Sequence, residues 1–186
     1  GPAVAEVLFG DYNPSGKLTM TFPRNVGQVP IYYNMKNTGR PIQGDEKYTS
    51  RYLDVPNTPL YPFGFGLSYT TFQYSQPIVS STTLTDSAPI TVSVTVTNTG
   101  DYDGEEVVQL YVQDLVGSVT RPVKELKGFR KLMIKKGESA DVKFALTAED
   151  LAFTRKNNTW GTEAGDYKVY VGTNSEDVQE AIFTLQ

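Results

Sequence analysis

The run Ile90-Thr91-Val92-Ser93-Val94-Thr95-Val96-Thr97 alternates apolar and hydroxyl side chains without a break. A period of two puts Ile90, Val92, Val94 and Val96 on one face of an extended strand and the Thr/Ser set on the other. No helix can sort these residues that way. Six further strand candidates accompany it, at 72–79, 106–113, 125–132, 140–146, 165–172 and 180–185. Between them stand turn signals: Asn98-Thr99-Gly100, Lys136-Gly137-Glu138, Glu163-Ala164-Gly165-Asp166 and Thr173-Asn174-Ser175. Seven short strands at this spacing predict a mainly β fold, a seven-stranded β-sandwich with a small barrel as the alternative.

The texture before residue 72 is different. Eight of the eleven prolines and seven of the twelve tyrosines fall within the first 70 residues. Ala3, Val4, Val7 and Leu8 fit one face of a short helix that stops at Gly10, a suitable C′ residue. Asp11 to Gly16 reads as a turn, and residues 17–22 alternate as a half-buried strand closed by Pro23. From Arg24 to Asn57 there is no sustained period, yet the stretch is too aromatic for a disordered linker. Residues 59–72, Pro-Leu-Tyr-Pro-Phe-Gly-Phe-Gly-Leu-Ser-Tyr-Thr-Thr-Phe, combine stiffening prolines, permissive glycines and large apolar rings. So much aromatic surface predicts a buried hinge, with the whole leading segment wrapped over a body outside this chain. A chain opening on Gly1-Pro2-Ala3 reads as a fragment.

Composition removes several functions. With no His, neither a Ser-His-Asp nor a Cys-His arrangement can be built, nor most zinc sites. A net charge of −4 argues against a nucleic-acid partner. No apolar run approaches the roughly 18 residues of a membrane helix, so no membrane partner is expected. Paired carboxylates for acid/base work stand about 5–9 Å apart, at least one in surroundings that shift its pKa. The acidic neighbours are Asp45-Glu46, Glu105-Glu106, Glu149-Asp150 and Glu176-Asp177. Adjacent strand residues point to opposite faces, so these read as surface charge and no catalytic residue is assigned. Asp101-Tyr102-Asp103-Gly104 lacks the later acidic ligand of a calcium loop and reads as a hairpin turn, so no metal or cofactor is expected. Seven basic residues between Arg121 and Lys136 read as the outer face of a strand pair. Trp160 suits a packed loop anchor or a sugar-stacking platform. The loop 45–54, where Tyr48, Arg51 and Tyr52 alternate with Lys and Asp, suits a polar domain interface or a polyol-binding rim.

Several stretches together resemble glycoside hydrolase family 3 β-glucosidases of the bacterial periplasmic type. They are Leu8 to Leu18 (LFGDYNPSGKL), Thr21-Phe22-Pro23-Arg24, Lys47 to Tyr52 (KYTSRY), 59–72, and Arg121 to Phe129 (RPVKELKGF), and they run in the family's order. The resemblance implies a three-part retaining enzyme acting on terminal β-D-glucosyl residues through a glycosyl-enzyme intermediate. A barrel domain carries an Asp nucleophile, an α/β sandwich domain carries the Glu acid/base, and a fibronectin type III-like domain closes the C-terminus. It also implies boundaries: residues 1–71 as the end of the α/β domain plus linker, and 72–186 as the fibronectin type III-like (immunoglobulin-like) sandwich. Both catalytic carboxylates belong upstream of Gly1, so the stretch alone is expected to be inactive. Its expected partners are the upstream barrel and α/β domains and, through them, the β-glucoside; a homo-oligomer is left open. The implied location is periplasmic or secreted. Within this chain only Tyr48, Arg51 and Tyr52 are candidates for the substrate rim. The rival reading is a stand-alone carbohydrate-binding or adhesion module.

Overall fold

The computed structural model describes residues 1–41 and 46–186. Two sheets pack face to face. The first is centred on β4 (Ile90–Asn98), which pairs on one side with β1 (Phe72–Tyr74) and β2 (Ile78–Val79) and on the other with β7 (Ser139–Leu146). The second runs β3 (Thr83–Leu84), β11 (Val178–Leu185), β10 (Gly165–Gly172), β5 (Gly104–Asp114), β6 (Glu125–Ile134). All its pairings are antiparallel except β3 with β11. A small hairpin of β8 (Phe153–Thr154) and β9 (Trp160–Gly161) lies apart from both sheets.

The alternation of β4 is realised as read: Ile90, Val92, Val94 and Val96 are all buried. They meet Val142, Phe144 and Leu146 of β7 and, across the sandwich, Val108, Leu110, Val169, Val171, Phe183 and Leu185. Tyr167 stacks on Phe183 with ring centroids 5.5 Å apart. Two expected strands match their ladders, 90–98 and 165–172, and four others extend by one or two residues at an end. The expected strand 72–79 is two, β1 and β2, because Pro77 has no N–H to give to β4. The two-residue strands β3, β8 and β9 are too short to show a period.

Ahead of β1, α1 (Pro2–Phe9) ends at Gly10 in the left-handed conformation, φ 85°. The expected strand at 17–22 does not form. Leu18 exchanges backbone hydrogen bonds with Phe65 and Gly64, and Phe22 forms a single bridge with Tyr61. Met20 and Phe22 are exposed while Lys17, Leu18 and Thr21 are half-buried, so the expected apolar face is not formed. The hinge 59–72 is also less buried than expected: Leu60, Tyr61, Leu67 and Tyr69 remain 41–72% exposed.

What the leading segment does cover is the outer face of β5. Val108 through Val112 of β5 are consecutively buried, so both faces of that strand are covered. The inner face meets the core; the outer one, Gln109 and Tyr111, meets the hinge. Phe63 stacks on Tyr33 at 4.3 Å, and Tyr33 meets Tyr111 edge-on at 5.7 Å. Gly64 has φ 79°, a left-handed conformation that favours glycine, and a Cβ there would displace the Gln109 carboxamide from its place.

Candidate functional site

Two polar clusters join the leading segment to the sandwich. In the first, Glu106 is 3% exposed and stands in the inward phase of β5 with Val108 and Leu110. Its carboxylate receives Lys17 Nζ at 3.2 and 3.3 Å and the Tyr74 hydroxyl at 2.7 Å, and Lys17 Nζ also donates to Thr173 Oγ1 at 2.8 Å. Burial, then the neighbouring Glu106 charge, pushes the Tyr74 hydroxyl far above its ordinary pKa, so it stays a donor. Reading Glu105-Glu106 as surface charge was therefore wrong for Glu106. Its parity with the apolar residues of β5 was the available signal. In the second cluster, Gln109 Nε2 donates to the carbonyls of Thr173 (2.6 Å) and Gly64 (3.2 Å), while its Oε1 accepts from the Tyr111 hydroxyl. An amide on an outward strand position carries no such signal.

Two of the basic residues assigned to an outer face are partly covered. Lys124 Nζ lies 4.5 Å from the centroid of the Tyr170 ring and donates to Ser175 O at 2.6 Å, and burial lowers its pKa. The Arg121 guanidinium sits 4.0 Å from the Phe153 ring centroid and pairs with Glu125 at 2.6 Å. Cation–aromatic contact offsets part of the hydration that each head gives up.

Of the acidic neighbours, Glu105 binds Lys131 and Ser15, and Asp150 caps Thr147. The backbone N–H groups of Glu176 and Asp177 donate to Asn174 Oδ1. Asp45 lies outside the described residues. Asp101 and Asp103 hold Lys136 at the β4–β5 turn. Among the described residues, no three His, Cys, Asp or Glu side chains converge as a metal would need. No helix there is long and apolar enough to cross a membrane. Trp160 is 68% exposed at the β8–β9 hairpin, so it is not a packed anchor.

The candidate rim residues lie on one short loop. Ser50 N–H donates to Arg40 O at 2.8 Å, and the Ser50 and Thr38 hydroxyls bond at 2.8 Å. Asn57 bonds the loop at two points, donating to Ser50 O at 2.9 Å and accepting from Tyr52 N–H at 3.0 Å. Tyr48 and Arg51 are exposed, with Lys47 Nζ 5.8 Å from the centroid of the Tyr48 ring. Tyr52, 41% exposed, lines a cavity of about 360 Å³ with Tyr32, Met35, Ser50 and Asn57. Tyr32, Met35 and Tyr52 supply an apolar wall, and Thr38 and Ser50 supply hydroxyl groups, a combination suited to a polyol face.

The sequence profile of the Glycosyl hydrolase family 3 C-terminal domain matches residues 1–69, and that of the Fibronectin type III-like domain matches 106–175. The chain belongs to glycosyl hydrolase family 3. It is 50% identical, over its whole length, to 24% of a periplasmic beta-glucosidase of Salmonella typhimurium. It is 44% identical, over 99% of its length, to 23% of a putative beta-xylosidase of Formosa agariphila. The crystal structure of a beta-glucosidase from Listeria innocua in complex with glucose superposes on the entire chain with a TM-score of 0.94 at 43% identity, using 26% of that protein. This family 3 chain thus spans about a quarter of the length of the relatives it matches. Its mainly β architecture includes the fibronectin type III-like sandwich that the resemblance implied.

Proposed function

We propose that this chain is the non-catalytic C-terminal portion of a retaining β-glucosidase and braces the upstream domains that carry the chemistry. In this reading residues 1–71 finish an α/β sandwich domain and its linker, 72–186 form the fibronectin type III-like domain, and the location is periplasmic or secreted. The observation that carries it is the state of the leading segment. Among the described residues, seventeen of twenty-five exposed large apolar side chains precede residue 72, and none of the buried apolar core does. A single stretch exposing Val4, Leu8, Phe9, Val26, Val29 and Leu53 is costly in water and becomes favourable once another body covers it. The names of the relatives supply the chemistry: one is called a periplasmic beta-glucosidase, another a putative beta-xylosidase. Tyr48, Arg51 and Tyr52 then form part of the substrate rim, reached across the domain boundary.

Kinetics on an aryl β-glucoside test the reading. The complete protein turns it over with retention, and this chain alone does not. Turnover by the chain alone would make it an enzyme in its own right. The exposed Trp160 favours one rival, an independent carbohydrate-binding module. Titration of the chain with cello-oligosaccharides separates the two, since a brace gives no saturable signal and a binding module gives one that Trp160→Ala abolishes.

A further inference from the structure

Gln28 is the one side chain of the leading segment, among the described residues, with no exposed surface at all. A buried amide is costly unless its donors and acceptor are met. Here they are met by backbone. Nε2 donates to Pro56 O at 2.8 Å and Thr58 O at 3.2 Å, and Oε1 accepts from Arg24 N–H at 2.5 Å. Arg24 Nε donates to the same Thr58 carbonyl at 3.0 Å, and its Nη2 to Thr58 Oγ1 at 3.3 Å. The carbonyls of the residues on either side of Asn57, Pro56 and Thr58, are therefore anchored, and Asn57 between them has a fixed base.

Asn57 uses that base to hold something else. Its Nδ2 donates to Ser50 O and its Oδ1 accepts from Tyr52 N–H. These two peptide groups flank Arg51, so one side chain ties the backbone before and after it. Only a carboxamide offers a donor and an acceptor side by side in so short a side chain. Beyond the Ser50 bonds to Arg40 and Thr38, the loop has little apolar burial to order it: Tyr48 is 75% exposed, Leu53 is 96% exposed, and Arg51 is exposed too. Apolar burial cannot fix this loop, and a polar clamp can.

We propose that Gln28 and Asn57 form a two-step relay that presets the 48–52 loop for sugar, with Asn57 as a positioning residue acting through Arg51 and Tyr52. This rests on the reading of Tyr48, Arg51 and Tyr52 as rim residues and assigns what holds them. Its signature is a loss of substrate affinity with the chemical step intact, because a loose rim must be ordered each time substrate binds.

The test has two arms. In this chain, amide hydrogen exchange is followed at Tyr52. The amide is protected in the wild type, protected in Asn57→Asp, which keeps the acceptor, and fast in Asn57→Ala. Equal exchange in all three overturns the clamp whatever the ligand. In the complete protein, with an aryl β-glucoside as substrate, Asn57→Ala raises KM about tenfold and leaves kcat unchanged. Asn57→Asp, which gives up only the Ser50 contact, lies between. If Tyr52→Ala raises KM and Asn57→Ala does not, the positioning role is wrong and the rim reading stands. If Tyr48→Ala, Arg51→Ala and Tyr52→Ala all leave KM unchanged, the rim reading fails and the relay's proposed purpose fails with it. If Asn57→Ala lowers kcat and melting temperature together, Asn57 is a structural residue and the proposal is overturned.

Discussion

Phe183 on β11 and Phe9 at the end of α1 are the same side chain at 1% and 85% exposure. The contrast holds across the two regions they belong to. In the sandwich, large apolar groups face one another across two sheets and water is excluded. In the leading segment they face outward, and what is buried is polar: Ser15, Gln28 and Thr70. The sandwich is therefore held by apolar packing, which tolerates imprecision in any single contact. The segment is held to it by a few hydrogen bonds, one ion pair and the ring contacts of Phe63 and Tyr33 with Tyr111, each of which has a defined geometry. A region attached in this second way keeps its apolar face available for another body while its attachment fixes where that face points.

The comparison is broken most directly by truncating one phenylalanine in each region. Phe183→Ala should cost about 3–5 kcal/mol in chemical denaturation, a large share of the stability of a domain this size. Phe9→Ala should change the stability of this chain by less than about 0.5 kcal/mol. Equal losses would mean that the segment has a core of its own. A smaller effect sharpens the polar side of the contrast. Lys17→Met leaves Glu106 buried without its cation and should cost about 3 kcal/mol. The double variant Lys17→Met, Glu106→Gln should recover part of the loss; a double variant less stable than Lys17→Met would show that the pair is not what joins the two regions.

The smallest effect is one of pH. Burial pushes the Asp114 carboxyl above the ordinary carboxylate range, although Arg121 Nε stands 3.8 Å away. A folded-state pKa above the unfolded value means that folding takes up a proton. Stability from this group is complete below the unfolded pKa and is lost as pH rises through the folded one. Asp114→Asn removes that loss. Melting temperatures taken between about pH 3 and about pH 7 should show the variant gaining on the wild type as pH rises. A constant gap would assign Asp114 no linkage.

Much of the sandwich was readable because a period of two is a local property. Ile90 to Val96 must face one way in any strand, and a turn of Gly, Asn and Ser separates strands whatever lies beyond. Family motifs added the identity of the leading segment, whose irregular sequence has no period to read. Strand 17–22 failed for the same reason that 90–98 succeeded. Alternation predicts which residues share a face, but not whether a neighbouring strand is there to complete the ladder, and for Lys17 to Phe22 only the hinge is. Tyr48, Arg51 and Tyr52 were placed on one loop by proximity in sequence. The cavity that Tyr52 lines, and the clamp at Asn57, were not visible.

Sequence alone determined that residues 72–186 would be mainly β, built of short alternating strands, and that most of the first seventy residues carry no periodic face to bury. Tertiary structure alone decided that Glu106 receives Lys17 from 89 residues away, that Gln109 meets Gly64, and that Gln28 reaches the carbonyls around Asn57. The reason is physical. Side-chain periodicity is written in the spacing of neighbouring residues, whereas a buried polar group is stable only through partners that the fold brings from elsewhere.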